Sequence, residues 1–167
     1  MSKPRRSADP SATWQGVPEW GLSFAVVLAI VGLAVLFPPG EWYASLNKPT
    51  WQPPGWVFAP LWSILFGLQA ASFGLILSAE PGPDRSRALR RYALMWLCSA
   101  LWAPLFFGLQ MPLLAFVDFC ALWLALLYSL AAAARIRQLA AWLLVPPLLW
   151  VSFALVLNGV IVALNGG

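Results

Sequence analysis

The sequence contains no histidine, and charged residues make up only 10% of its 167 residues. Without histidine there is no Ser-His-Asp triad, no Cys-His pair and no histidine ligand for zinc or haem iron. An ordinary soluble domain carries roughly 25% charged residues, so this chain has too little charge for a water-facing enzyme surface. The nucleotide-binding motifs GxGxxG and GxxxxGKS/T and the esterase motif GxSxG are also absent.

Cysteine is scarce as well, with only two residues, Cys98 and Cys120. Both lie in apolar runs and lack CxxC spacing, so we interpret them as small buried hydrophobic residues. Spacing alone leaves a disulfide between them open.

Apolar residues, in contrast, make up 61% of the chain, together with 11 Trp and 15 Pro. A membrane-spanning helix needs about 20 mostly apolar residues. The runs here are rich in Leu, Ala, Val, Ile and Phe and lack the alternation of barrel strands. The sequence therefore predicts an all-α membrane protein, a bundle of five transmembrane helices. The five runs are Gly21–Phe37, Trp56–Ala79, Tyr92–Gly108, Leu113–Ala134 and Leu139–Leu164.

The first apolar run follows basic residues, as a cleaved signal peptide would. However, it begins late, at Gly21, and leads into Pro38-Pro39 instead of a small-x-small cleavage site. We therefore interpret it as a retained span.

The cations are distributed unequally between the two sides that five spans would define. Nine of the ten lie in the N-terminal segment and in the loops after spans two and four, and only Lys48 lies on the other side. The positive-inside rule then predicts a cytoplasmic N-terminus and an external C-terminus. We expect a flexible cytoplasmic tail over residues 1–20 and a five-helix domain over residues 21–167. The net charge of +4 thus indicates topology, and we expect no nucleic-acid partner.

The stretch of residues 41–62, which includes the loop after span one and the start of span two, contains four Trp and four Pro. Proline fixes φ and removes backbone donors, so this segment is expected to be stiff. Long ordered loops are often functional. Composition leaves two interpretations open: an interfacial anchor for the two spans, or a lid over a ligand.

Asp118 is the one charged residue inside a predicted span, apart from the span ends. A carboxyl group there costs about 2.5–3.5 kcal/mol on insertion scales, which makes it a functional candidate. The alternative is a hydrogen-bonded structural group that ties span four to a neighbour or to the loop.

Four separate blocks of sequence resemble the tryptophan-rich sensory protein and translocator protein (TspO/MBR) family. The resemblance covers roughly residues 24–165, and the order and spacing of the blocks make it specific. The blocks are Trp42-Tyr43 with Leu46-Asn47-Lys48-Pro49; Trp51-x-Pro53-Pro54-x-Trp56-x-Phe58-x-Pro60-x-Trp62; Leu101-Trp102 with Phe106-Phe107-Gly108-Leu109; and Leu143-Leu144-x-Pro146-x-x-x-Trp150-Val151-x-Phe153-Ala154-x-x-Leu157-Asn158.

The resemblance implies a bundle, usually dimeric, whose internal pocket lies under the loop after span one. It implies that this pocket binds porphyrins and, in some members, sterols or benzodiazepine-site drugs. Matching positions place Tyr43, Trp51, Trp62, Phe66, Met95, Ser99, Trp102, Asp118, Trp150 and Ala154 in that pocket.

This sequence departs from the family pattern at three points. Met95 and Ser99 stand where the family has Gln and Asn, which predicts a more apolar pocket with fewer amide hydrogen bonds. Pro147 replaces a Tyr and is expected to kink the start of helix five. The sequence after Asn158 lacks the Tyr and basic residue of the sterol pattern, so a sterol role loses that support.

We therefore expect an integral membrane protein, in a bacterial inner membrane, that binds a tetrapyrrole as a sensor or regulator of tetrapyrrole traffic. The porphyrin is expected as a ligand, with no cofactor and no metal site, and a metal-free porphyrin suits a chain without histidine. The alternatives are a transporter of porphyrin or lipid, and a weak light-dependent porphyrin-degrading enzyme that uses Trp62 and Trp150. If Lys48 faces the ligand, it is the one external cation for porphyrin propionates; otherwise it anchors at the interface.

Small residues on span three, at Ala100, Pro104 and Gly108, suit close helix approach. They are consistent with a homodimer in the bilayer or with packing inside one chain.

Overall fold

The computed structural model describes residues 17–166, so most of the predicted tail lies outside the described residues. Within that range all regular structure is helical, with no strand, and the predicted all-α class is confirmed. The helices are α1 (Val17–Val35), α2 (Glu41–Ser45), α3 (Gly55–Leu77), α4 (Pro83–Ala103), α5 (Pro112–Ala134) and α6 (Gln138–Asn165), with a π-helical segment at Pro104–Gly108.

Apolar runs located the long helices closely, and α5 begins one residue before the predicted Leu113. The start of α1, at Val17, lies four residues before the predicted Gly21, and the largest difference is in α4, which begins at Pro83 and not at the predicted Tyr92. A proline in the first turn and the acidic Asp84 beside it both favour a helix start. Hydropathy marks the apolar part of a helix and misses charged turns that extend beyond it.

Three helices of the described chain, α3, α5 and α6, are long and apolar enough to cross a membrane. In α1 the apolar stretch is shorter, over Trp20–Val35. The first turns of α4 carry the charged residues from Asp84 to Arg91, which lower its hydropathy. The structure thus supports an integral membrane protein, and five crossings remain a prediction.

The five long helices pack in the cyclic order α1, α3, α6, α5, α4, with α1 also against α4. The most extensive contacts are those of α5 with α4 and with α6. At one end, the Ser72 hydroxyl of α3 donates to the Ala140 carbonyl of α6 (2.6 Å) and shares a hydrogen bond with Tyr92 of α4. Ser72 and Tyr92 are fully buried, so this network ties three helices together inside the protein.

The end of α4 widens into the π-helical segment, which is built around aromatic rings. Trp102 stacks on Phe106 (centroids 5.1 Å apart) and meets Phe107 edge-on (5.5 Å). Gly108 abuts the Phe37 ring so closely that a Cβ there would lie 2.7 Å from a ring carbon. One of the small residues considered for dimerisation therefore serves a contact within the chain.

Two prolines, Pro146 and Pro147, lie inside α6, yet the helix is continuous from Gln138 to Asn165. The second proline was expected to kink the start of this helix, and it does not end or divide it. Proline is tolerated inside membrane helices because neighbouring groups satisfy the freed carbonyls.

Candidate functional site

The loop after α1 covers one end of the bundle, and we call residues 41–54 the lid. It contains a short helix, α2, which was not predicted from the sequence.

The Lys48 ammonium donates to the carbonyls of Tyr43, Ala44 and Leu46 and lies 4.7 Å from the centroid of the Tyr43 ring. These contacts use its three donors, so they favour a structural role for Lys48 over contact with a ligand.

A reciprocal pair of hydrogen bonds, which we call the clasp, joins the lid to the end of α6. The Asn47 backbone N–H donates to Asn165 Oδ1, and Asn165 Nδ2 donates to the Asn47 carbonyl, each at 2.9 Å. Asn165 also donates to the Ile161 carbonyl (2.8 Å), which fixes the orientation of its amide. Both hydrogen bonds of the clasp are exposed to the surroundings, so the clasp joins the lid to α6 at the surface of the protein.

Tyr43 occupies a central place in the lid. Its hydroxyl accepts a hydrogen bond from Gln52 Nε2 (3.1 Å), and its ring meets Phe106 and Phe107 edge-on. Burial raises the pKa of the Tyr43 hydroxyl above its usual value, with the Gln52 hydrogen bond opposing this shift. Tyr43 is therefore neutral at physiological pH and can both donate and accept.

The predicted pocket residues outside the lid lie on four helices at helical spacings. On α4 they recur at intervals of four and three residues, and on α6 at four, which places each set on one helix face. They are Trp62 and Phe66 on α3; Met95, Ser99 and Trp102 on α4; Asp118 on α5; and Trp150 and Ala154 on α6.

Two series of aromatic contacts connect the lid to the helices. In the first, Tyr43 contacts Phe106, which stacks on Trp102. In the second, Trp51 contacts Phe153 (5.8 Å), which in turn packs on Trp150 (5.1 Å). The structure thus links four predicted site residues in pairs, Tyr43 with Trp102 and Trp51 with Trp150, each through one phenylalanine.

Trp62 and Phe66 pack on each other (5.3 Å) in the hydrophobic core between the five long helices and are not members of these two series. Phe66, Met95, Trp62, Trp102 and Ala154 all belong to or pack against that core. Trp102 also packs against the smaller cluster under the lid, so it joins the two regions.

Several buried polar atoms of residues on α4, α5 and α6 have no hydrogen-bond partner. They are the indole N–H groups of Trp102 and Trp150, Oδ2 of Asp118, and both amide atoms of Asn158. Asn158 is only 3% exposed and lies four residues after Ala154, on the face that carries Trp150. Buried polar groups in native structures are almost always paired, so each of these atoms calls for a partner such as water or a ligand.

Sequence reasoning missed Asn158, and it also missed Gln69, which is 2% exposed with an unpartnered Oε1. Gln69 lies seven residues after Trp62, on the same face of α3. The available signal was an uncharged amide inside an apolar span. Asp118 was predicted as a functional candidate because it is charged, whereas Gln69 and Asn158 are uncharged and were not.

Comparison with known proteins gives one family match, over residues 21–164, to the model of the TspO/MBR family. The chain belongs to the TspO/MBR family. It is 37% identical over 147 residues to the tryptophan-rich protein TspO of Chlorobaculum tepidum, covering 87% of this chain and 92% of that protein. It is 33% identical over 151 residues to the tryptophan-rich sensory protein of Cereibacter sphaeroides, with 88% and 93% covered.

A mammalian member of the TspO/MBR family is similar to the chain as well. The translocator protein of Homo sapiens is 35% identical over 157 residues, covering 85% of this chain and 86% of that protein. The resemblance stated from the four sequence blocks is therefore confirmed.

In this TspO/MBR protein the Phe106 ring packs under the lid, against Trp42 and Tyr43 of the lid and Trp102 of α4. Two open cavities among the described residues lie elsewhere, and neither is lined by a predicted site residue. One is an apolar groove of about 560 Å³ between α1, α3 and α4, and the other lies at the end of the bundle opposite the lid.

Two polar residues of the predicted pocket have partners within the protein. The Ser99 hydroxyl donates to the Met95 carbonyl one turn earlier (3.0 Å). Asp118 lies against the Cys98 thiol of α4, while its Oδ2 has no partner. Cys98 and Cys120 are both free thiols, which excludes the disulfide that spacing left open.

Proposed function

We propose that this TspO/MBR family protein crosses the membrane five times and binds a planar tetrapyrrole between α3, α4, α5 and α6, under the lid. The observation that carries the proposal is that buried polar atoms of Trp102, Trp150, Asp118 and Asn158, on three of these helices, have no hydrogen-bond partner within the protein. The relative named a tryptophan-rich sensory protein supports a sensing role.

The chemistry of these groups suits a planar ligand with a polar edge. Indole faces stack on flat π-systems, and indole N–H groups donate to an acceptor at the ligand's edge. Each unpaired buried polar group costs about 1–3 kcal/mol, so a ligand that pairs with several of them recovers that free energy. The absence of histidine in the sequence favours a metal-free porphyrin over haem.

The cation distribution supports an orientation with the lid outside the cell. The loops at the end opposite the lid carry arginines, whereas the lid carries only Lys48. We place the N-terminus in the cytoplasm and the protein in a bacterial inner membrane.

A ligand screen by thermal unfolding tests this proposal on the purified protein in detergent. Protoporphyrin IX at a hundred times its Kd is expected to stabilise the folded state by about 2.7 kcal/mol, a Tm increase of roughly 5–10 °C. Haem and a sterol are expected to give smaller shifts. Equal shifts with all three compounds, or none with protoporphyrin, would refute a tetrapyrrole site.

Asn158→Leu separates a binding role from a structural role for the buried amide. Because neither amide atom has a partner, an apolar side chain of similar size is expected to raise the stability of the ligand-free protein by about 1 kcal/mol. The same change is expected to weaken protoporphyrin binding, since it removes a donor and an acceptor. Tm and a binding titration measure the two effects.

Ser72→Ala provides the matched control, because Ser72 is a buried polar residue whose hydroxyl has two partners. It is expected to lower stability by about 1–3 kcal/mol and to leave binding unchanged. A loss of stability in Asn158→Leu with unchanged binding would assign the amide a structural role.

Transport is the second candidate function, and the name of the human relative, translocator protein, favours it. Proteoliposomes loaded with protoporphyrin distinguish the two functions: a transporter accelerates efflux over empty-membrane controls, whereas a receptor binds without flux.

A further inference from the structure

A polar cavity of about 540 Å³ lies at the end of the bundle opposite the lid. Two loops and the start of α4 form it, where the chain turns from α3 into α4 and from α5 into α6. Its lining residues are Ser78, Ala79, Glu80, Pro81, Gly82, Pro83, Asp84, Arg85, Arg135, Ile136 and Arg137.

The cavity lining carries three arginines and two carboxylates. Of the carboxylates, Asp84 is already paired with Arg87 at 2.7 Å, and this is the one salt bridge found among the described residues. Arg85, Arg135 and Arg137 therefore line the cavity without an ion-pair partner in the described chain. Glu80 alone cannot neutralise three guanidinium groups, so the cavity retains an excess of positive charge.

Arg85 gives the most specific indication of what the cavity holds. Its Nε is buried and has no hydrogen-bond partner. Arg85 also lies in the first turn of α4, where Gly82 offers no side-chain cap and the helix dipole disfavours a cation. A bound anion would satisfy the Nε–H donor, offset the repulsion from the dipole and accept from the backbone N–H groups of that turn.

We propose that this cavity is a binding site for a phosphate group. A guanidinium presents parallel N–H donors that match two phosphate oxygens, and the cavity is lined by one arginine from the start of α4 and two from the connection between α5 and α6. The apolar helices end at this level, so the phosphate of an anionic phospholipid headgroup has access from the membrane surface, and a soluble phosphate ester has access from water. The site is independent of the tetrapyrrole proposal, because it lies at the other end of the bundle.

A binding titration on the full-length purified protein, at constant ionic strength in neutral detergent, tests the site. The probes are dihexanoyl phosphatidylglycerol below its micelle concentration, glycerol 3-phosphate, and dihexanoylglycerol, which has the same chains without phosphate. We expect at least one phosphate probe to bind and dihexanoylglycerol not to bind. Binding of phosphatidylglycerol alone identifies a lipid headgroup, and equal binding of glycerol 3-phosphate identifies a soluble phosphate compound.

Arg85→Gln and Arg90→Gln form a matched pair, since both remove one cation from α4 and Arg90 does not line the cavity. Arg85→Gln is expected to weaken binding about tenfold or more, and Arg90→Gln less than about twofold. Arg85→Lys keeps the charge but lacks the Nε–H and is expected to fall between them. Helical circular dichroism confirms that each variant is folded.

Two results would overturn the proposal: no binding of either phosphate probe, or equal weakening by Arg85→Gln and Arg90→Gln. The second result would mean that general surface charge, and not this cavity, attracts the anion.

Discussion

Replacing Trp62 and Trp150 together by alanine is expected to weaken protoporphyrin binding more than about thirtyfold. Loss of one aromatic stacking surface typically costs about 1–3 kcal/mol, so two are expected to cost at least about 2 kcal/mol. Trp150 also loses an indole N–H that has no partner within the protein. Saturable changes in the porphyrin absorption band measure the affinity without depending on the remaining tryptophans.

The matched control replaces Trp56 and Trp142, which lie on the same two helices, α3 and α6. Their side chains are 76% and 62% exposed, so they face away from the packed interior. This control is expected to change the Kd less than about twofold. If both double variants lost affinity equally, the porphyrin would be binding to the outer surface and not between the helices.

Phe106→Ala is expected to produce the largest loss of stability among single substitutions in the lid region. Phe106 is 2% exposed and contacts Trp42 and Tyr43 of the lid as well as Trp102 of α4. Truncating a buried phenylalanine costs about 3–5 kcal/mol, which corresponds to a decrease in Tm of roughly 10 °C.

The same substitution is expected to release the lid, which limited proteolysis within residues 41–54 detects. Phe24→Ala on α1 is the control, because that ring is half exposed and its loss leaves no internal cavity. A lid that remains resistant to protease in Phe106→Ala would show that the clasp and Trp51 suffice to hold it.

Apolarity predicted most of the fold because a membrane helix must satisfy its backbone internally and present apolar side chains to lipid. That constraint acts along the whole run, so α5 and α6 were placed to within one residue at both ends. It does not act outside the hydrocarbon region. The charged first turns of α4 and the short helix α2 were therefore not predicted, since capping and local packing determine them.

The candidate site was predicted from family positions and stays a prediction. The structure adds which of its polar atoms have hydrogen-bond partners within the protein. Trp102 and Trp150 carry buried indole N–H groups that have no partner within the protein. Lys48, in contrast, is engaged by three lid carbonyls, which its sequence position did not reveal. Which polar atoms lack partners depends on packing between helices distant in sequence, and hydropathy carries no such information.

The π-helical segment at the end of α4 changes the direction in which its last residues face around the helix axis. An α-helix turns about 100° per residue, whereas a π-helix, with its i to i+5 bonds, turns less. Gly108 therefore points roughly where Phe107 would point in a uniform α-helix. That direction is occupied by the Phe37 ring, which leaves no room even for a Cβ. The wider π-helical turn directs the Phe107 ring toward Trp102 and Tyr43. It also brings the chain after α1 and the chain after α4 into contact, at Phe37 and Gly108.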